Sequence, residues 1–154
     1  MIYAVFWLAQ DLLTVLTSGA MQIPEIFLSC LVYRLLTRDW EVNIFVIWTA
    51  FLGGLLWDLR WVGIPGFFAL SYVSVVMLVL WVWNALPVSG RTPLVIFFLF
   101  WTAQLIPTIL SALLLGRNIS EARWMLFAAQ QGCAVPVALL GAFFYFQHEK
   151  GQNA

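Results

Sequence analysis

Residues 64–86 read IPGFFALSYVSVVMLVLWVWNAL and include no Asp, Glu, Lys, Arg or His. One helical crossing of a bilayer needs about 17 to 25 predominantly apolar residues. Two further runs of this kind, 93–115 and 124–146, follow along the chain, and a shorter uncharged run, 42–57, precedes it. The sequence therefore predicts at least four membrane-spanning helices.

The composition of the whole chain leads to the same class of protein. Of its 154 residues, 64% are hydrophobic and 9% are charged, whereas soluble domains are about half apolar and about one quarter charged. Seven Lys and Arg residues balance seven Asp and Glu residues, so the chain has no net attraction for polyanions. These values exclude a soluble globular domain, an intrinsically disordered chain and a nucleic-acid-binding protein.

The N-terminal third is less regular, and we interpret it as two helices. The first covers residues 2–17 with Asp11 near its centre, and the second is a short helix over 23–37 in which Pro24 suits the first turn. A cleaved signal peptide is the competing interpretation, because residues 18–20 are small. However, no basic segment precedes the apolar run and Asp11 interrupts it, which favours two helices.

The expected fold class is an all-α integral membrane protein, a bundle of six transmembrane helices in a single domain. We expect the helices at 2–17, 23–37, 42–58, 64–86, 93–115 and 124–146, followed by a short polar cytoplasmic tail at 148–154. Basic residues are expected to favour the cytoplasmic side of a membrane protein. Four of them, Arg34, Arg38, Arg91 and Lys150, share the side of both termini, against Arg60, Arg117 and Arg123 on the other. This small majority predicts cytoplasmic termini.

The sequence offers little that could carry catalysis, a metal or a cofactor. The single His148 lies in the polar tail, and Cys30 and Cys133 lie in separate apolar runs, so no His/Cys cluster of metal-binding spacing exists. We find no spacing that pairs an acid with a base, or a nucleophile with a base. We therefore expect a non-enzymatic protein with no catalytic residue, no metal site and no cofactor.

Acidic residues in or beside apolar runs are functional candidates, because a charge in lipid costs at least about 2.5 kcal/mol. Asp11 is expected to mark where its helix faces protein rather than lipid. Glu25 follows Pro24 at the start of the second helix, where the positive end of the helix dipole favours a carboxylate. An ion pair with Arg60, or a position facing water, would explain Asp58.

Three glutamines lie in the last two apolar runs, close to the helix-kinking residues Pro107 and Pro136. Gln104, Gln130 and Gln131 could hydrogen-bond across helices or to backbone groups that the prolines free. Alternatively, they could line a binding site for a small ligand.

The most specific pattern is GGLLWDLRWVGIPG at residues 53–66, which reads as a helix end, an acidic residue and a glycine-bracketed turn. Gly54 would let another backbone approach closely, one turn before Asp58. Asp58 could accept hydrogen bonds from the amides that open the following helix. Gly63 and Gly66 would permit the positive φ of a tight turn. A well-formed hairpin between two helices is the simplest interpretation.

This segment resembles the MreD family of rod shape-determining membrane proteins, in which G-x-x-x-D-[LIF] is followed by G-x-x-G. The positions that match are Gly54, Asp58, Leu59 and Gly66, with Gly63 close to the first loop glycine of the family. Pro24-Glu25 resembles the P-[DE] that opens the second helix in MreD. Trp57, Trp61 and Pro65 depart from the pattern and could alter the turn.

The resemblance implies a scaffold subunit of the bacterial cell-elongation complex in the cytoplasmic membrane. Such a protein binds MreC, supports side-wall peptidoglycan synthesis, and connects indirectly to MreB, RodA and a class B penicillin-binding protein. The residues to which the resemblance assigns a partner-binding or structural role are Pro24, Glu25, Gly54, Asp58, Gly63 and Gly66.

The resemblance also implies a six-helix fold shared with the S components of energy-coupling-factor transporters. The alternative function is therefore that of a substrate-binding S component of a vitamin transporter, with Gln104, Gln130 and Gln131 lining the ligand. An S component is expected to have small residues four apart on its first helix. Residues 2–17 offer only Ala4 and Ala9, at the wrong spacing.

Overall fold

A computed structural model of the chain describes residues 2–17, 23–37, 40–62, 64–87, 90–114 and 121–152. These residues form six α-helices and no strand, which confirms the all-α prediction. The helices are α1 (Ile2–Thr17), α2 (Ile26–Thr37), α3 (Trp40–Trp57), α4 (Phe67–Ala85), α5 (Pro93–Leu114) and α6 (Glu121–Gln152). A single π-helical turn, Asp58–Val62, continues α3.

Three of the differences between the observed and the predicted helix boundaries change the role expected of a segment. Helix α2 begins at Ile26, so Pro24 lies in the connection before the helix and not in its first turn. Helix α4 begins at Phe67, because the preceding residues form the turn of the hairpin. Helix α6 continues to Gln152, so most of the segment expected to be a polar tail is helical.

Four segments of the described chain are long and apolar enough to cross a membrane: Ile44–Trp61, Phe67–Ala85, Pro93–Leu110 and Phe127–Gln147. Helices α1 and α2 are shorter, with 16 and 12 residues. At 1.5 Å per residue, α2 is about 18 Å long, whereas the hydrocarbon core of a bilayer is about 30 Å thick. Helix α2 therefore cannot span the core alone, and at least one of its ends lies inside it.

Helix α2 forms the centre of the bundle and contacts each of the other five helices. Seven of its twelve side chains are buried, among them Leu28 and Leu31, which have no exposed surface. The surrounding helices contribute the rest of the core, notably Val46, Tyr72, Val75, Val76, Ile96, Phe100 and Ala138. Large apolar side chains also cover the outer faces of the bundle, as expected of a protein surrounded by lipid; they include Leu70, Trp81, Met125 and Phe144.

Helices α3 and α4 pack most closely at Gly54. A Cβ atom added to Gly54 would lie 2.5 Å from Ala69 Cα and 2.6 Å from Ala69 N. Ala50, one turn earlier on α3, is completely buried. Because lipid is as apolar as a leucine side chain, such close packing of small residues is a main source of helix association in membranes. The close approach predicted at Gly54 is confirmed.

We expect Gly54→Ala to lower the free energy of unfolding by about 1–3 kcal/mol, the usual cost of overpacking a well-packed core. Gly132→Ala on α6 is the matched control, because a Cβ there would have nothing within 4 Å. In a helix, alanine is more favourable than glycine by about 1 kcal/mol, so the control should not be destabilised. Thermal unfolding in detergent, followed by helical circular dichroism, compares the two variants. Equal melting temperatures would contradict the close packing.

Candidate functional site

The carboxylate of Asp58 closes the hairpin between α3 and α4. Its Oδ2 accepts hydrogen bonds from the backbone N–H groups of Gly66 at 3.0 Å and Ala69 at 3.2 Å, and its Oδ1 accepts one from Phe68 at 2.8 Å. Asp58 has no exposed surface. One side chain thus satisfies three amides at the start of α4 that have no partner within the helix. We call Asp58 and these three amides the hairpin cap, and the predicted capping role of Asp58 is confirmed.

The turn of the hairpin requires a glycine at position 66. Gly66 immediately precedes α4 and has a φ of +97°, in the left-handed region that strains any residue with a side chain. This conformation belongs to the turn in which the Gly66 amide reaches Asp58. The other predicted turn glycine, Gly63, lies outside the described residues.

Asp11 connects α1 to the π-helical turn that follows α3. Its Oδ1 lies 2.7 Å from Arg60 Nε and accepts a hydrogen bond from Trp61 Nε1 at 2.9 Å. Both Asp11 and the adjacent Gln10 are buried, which confirms that this face of α1 is turned towards protein. The ion pair expected between Asp58 and Arg60 is wrong, as is a water-facing Asp58. The buried carboxylate binds the amides of the next helix, and Arg60 reaches across to α1.

A second group of buried polar side chains surrounds the start of α2. This inner polar cluster comprises Gln10 on α1, Glu25 and Ser29 at the start of α2, Tyr72 on α4 and Gln104 on α5. All five side chains are buried. The Oε2 atom of Glu25 accepts hydrogen bonds from Gln10 Nε2 and from the Tyr72 hydroxyl. Glu25 therefore links α1 to α4 through its carboxyl group.

Backbone groups at the start of α2 are paired with the two glutamines of the cluster. Gln10 Oε1 accepts a hydrogen bond from the Phe27 amide at 2.8 Å, and Gln104 Oε1 accepts one from the Glu25 amide at 2.6 Å. Gln104 Nε2 in turn donates to the Glu25 carbonyl at 2.9 Å and to Ser29 Oγ at 2.6 Å. Side chains from two other helices thus cap a helix end for which little or no water is at hand.

This arrangement corrects the role expected of Glu25. The residue does stand at the start of α2, where the helix dipole favours a carboxylate. Its carboxyl group, however, bonds to side chains of α1 and α4 and not to the amides of α2. Pro24 contributes a backbone carbonyl, which accepts the Ile26 amide at 2.8 Å.

Only one of the three glutamines predicted in the last two runs belongs to the inner polar cluster. Gln104 hydrogen-bonds to residues at the start of α2, which confirms the predicted hydrogen bonding across helices. The Oε1 atom of Gln130 and both amide atoms of Gln131 are buried without a hydrogen-bond partner. Two clefts of the described structure, each next to α1, are lined by other residues. The ligand-lining hypothesis therefore gains no support from either cleft.

Sequence analysis missed Ser29 and Tyr72. Their hydroxyl groups in otherwise apolar helices were the available signal, but the partners they meet come from distant parts of the chain. In the described part of the chain, no three His, Cys, Asp or Glu side chains lie close enough to hold a metal ion. The bonds of the two polar groups run from helix to helix, and such an arrangement holds helices in fixed positions.

We expect Asp58→Ala to destabilise the protein strongly, because it leaves three buried amides unpaired, and each lost bond to a charged group costs about 1.5–3 kcal/mol. Asp58→Asn retains one acceptor oxygen and should lose less. Leu59→Ala, at an exposed neighbouring position, is the control. The yield and the melting temperature in detergent should be highest for Leu59→Ala, lower for Asp58→Asn and lowest for Asp58→Ala. A different order would contradict the cap.

We expect Gln104→Leu to lower the melting temperature, because it leaves the Glu25 amide, the Glu25 carbonyl and Ser29 with fewer partners. An unsatisfied buried group costs about 1–3 kcal/mol. Gln130→Leu is the matched variant, since it removes a buried amide oxygen that already has no partner, and it should be neutral or stabilising. Thermal unfolding of both variants measures the difference. An equal loss of stability would argue against the bonding of Gln104.

No family model matches the chain, and comparison with curated proteins and with solved structures finds no match either. The resemblance to MreD therefore rests on the residues of the segments that carry it.

Proposed function

We propose that the chain is a non-enzymatic scaffold subunit of the bacterial cell-elongation complex, related to MreD, that binds MreC in the cytoplasmic membrane. The observation that carries the proposal is the hairpin cap. Gly54, Asp58 and Gly66, the matching positions of the resemblance, act together in one hairpin. A rigid pair of helices is what a partner needs for a fixed docking surface, because little ordering entropy is lost on binding.

The docking surface of this proposal is the cleft between α1 and α3, which we call the α1–α3 cleft. Its volume is about 480 Å³, and most of the side chains that line it are apolar or aromatic. These side chains include Tyr3, Trp7, Phe45, Trp48, Leu52 and Leu56. On α3, Trp48, Leu52 and Leu56 recur every fourth residue and are all more than half exposed. This spacing makes one ridge along the helix.

A single-span partner fits this ridge. Membrane helices associate largely through van der Waals packing of their side chains, and tryptophan and tyrosine are enriched among the residues that dominate binding energies. MreC, which has one membrane span, is the partner that the resemblance implies. RodA, the class B penicillin-binding protein and MreB would then connect to this chain through MreC and not directly.

The polar groups of the structure favour a scaffold over a vitamin-binding S component. Those of the inner polar cluster are bonded to one another and to backbone groups of α2. The α1–α3 cleft has an almost wholly apolar lining. A vitamin site needs several polar groups that converge on the ligand and fix its orientation. Both termini are placed in the cytoplasm in this proposal, as the distribution of basic residues suggests.

We expect the double variant Leu52→Ala/Leu56→Ala to lose MreC in co-purification from cells that express both proteins. Two truncations at about 1 kcal/mol each lower affinity about thirtyfold. The matched control is Leu70→Ala/Leu78→Ala, which removes two exposed leucines from α4, away from the α1–α3 cleft. The control should retain MreC at the level of the wild type.

Two results would contradict the proposal. Equal recovery of MreC with both double variants would exclude the α1–α3 cleft as the docking surface. Failure of the unmodified chain to retain MreC, together with a stoichiometric vitamin in native mass spectrometry, would support the S-component function instead.

A further inference from the structure

We propose that a second cleft, on the other flank of α1, binds one anionic phospholipid, with its hydrocarbon chains in the cleft and its phosphate on Arg34. This α1–α6 cleft has a volume of about 500 Å³. Helices α1, α2 and α6 form its walls, and Phe100 of α5 also lines it. The residues that line it include Ile2, Phe6, Cys30, Tyr33, Val137 and Phe144.

The volume and apolar lining of the cleft suit lipid chains. A methylene group occupies about the volume of a water molecule, about 30 Å³, so 500 Å³ holds about 16 of them. That is one folded acyl chain, or half of each chain of a diacyl lipid. The cleft follows α6 from Val137 to Phe144, about 10 Å at 1.5 Å per residue.

The pairing of α1 with α2 shows in which direction the cleft runs along the bundle. The two helices are antiparallel, because Gln10 bonds to the Phe27 amide, while Ile2 and Phe6 line the cleft with Cys30 and Tyr33. The cleft therefore runs from near the inner polar cluster towards the first residues of α1 and the last turn of α2.

Arg34 lies in the last turn of α2, next to Tyr33, which lines the cleft. It follows Cys30, which lines the cleft, by four residues and so shares its helix face. The Nε atom of Arg34 is buried without a hydrogen-bond partner. Within the described part of the chain, the ion pair found is that of Asp11 with Arg60. Arg34 thus has a charge with no carboxylate to balance it there.

A lipid phosphate supplies what Arg34 lacks. Guanidinium groups bind phosphate oxygens through charge-assisted, often bidentate hydrogen bonds. Basic residues between membrane helices at the membrane surface commonly hold anionic headgroups. The apolar cleft and a guanidinium with no carboxylate partner among the described residues are separate observations, and a single phospholipid satisfies both. A lipid with net negative charge is favoured over a zwitterionic one, because it leaves Arg34 neutralised.

Native mass spectrometry of the detergent-purified protein tests the proposal with phosphatidylglycerol and phosphatidylcholine as probes. We expect the wild type to retain phosphatidylglycerol at least about fivefold better, and Arg34→Gln to lose this preference through loss of one charge-assisted bond. Arg91→Gln is the matched control. Arg91 also has a buried Nε without a partner, but it lies just before α5, outside α1, α2 and α6, and its guanidinium lies over the Trp83 ring at 4.3 Å. An equal effect of both variants would overturn the proposal.

The Cys30 thiol provides a second measurement that does not depend on a variant of Arg34. The chain has two cysteines, so Cys133→Ser leaves Cys30 as the single thiol. Phosphatidylglycerol should slow alkylation of Cys30 by N-ethylmaleimide at least about threefold, by filling the cleft, and phosphatidylcholine should slow it less. If phosphatidylglycerol leaves the rate unchanged while bound MreC slows it, the cleft holds a protein helix and the proposal is wrong.

Discussion

The capping of two helix ends inside an apolar protein is the constraint on which the rest of this structure depends. Helix α2 is too short to span the hydrocarbon core, so its first backbone N–H groups would destabilise the protein if they lay in lipid without hydrogen-bond partners. Gln10 and Gln104 pair two of them, and Asp58 does the same for α4. Because each capping side chain comes from a different helix, satisfying these amides also fixes where the helices lie.

The position of α1 illustrates this dependence. Three polar side chains hold it: Trp7 donates to the Gly53 carbonyl, Gln10 bonds at the start of α2, and Asp11 pairs with Arg60. Its outward side chains are apolar and exposed. These polar bonds fix the position of α1 without close packing on every side. As a result, one cleft lies between α1 and α3 and another lies between α1 and α6. Both proposed binding surfaces, one for a partner helix and one for a lipid, follow from that arrangement.

The two polar groups differ in how far the sequence could predict them. The hairpin cap joins residues between eight and eleven positions apart, and a short connection leaves few alternatives for where Asp58 can point. The pattern of an acidic residue between glycines was therefore enough to predict it. The inner polar cluster joins Glu25 to Tyr72 and Gln104, which are 47 and 79 positions away. Its helices could have packed in several orders with the same apolar surface, so its members could not be paired from sequence.

Length and hydropathy by themselves determined that the chain is an all-α membrane protein, because a helix satisfies its own backbone hydrogen bonds and needs only enough apolar residues to cross lipid. The pattern of Asp58 between glycines in residues 53–66 also located the α3–α4 hairpin and its cap. Only the tertiary structure decided that α2 lies at the centre, that Arg60 pairs with Asp11 and not Asp58, and that Glu25 bonds to Tyr72. Those outcomes depend on which helices become neighbours. Apolar periodicity does not encode this choice when lipid and protein interior are equally apolar.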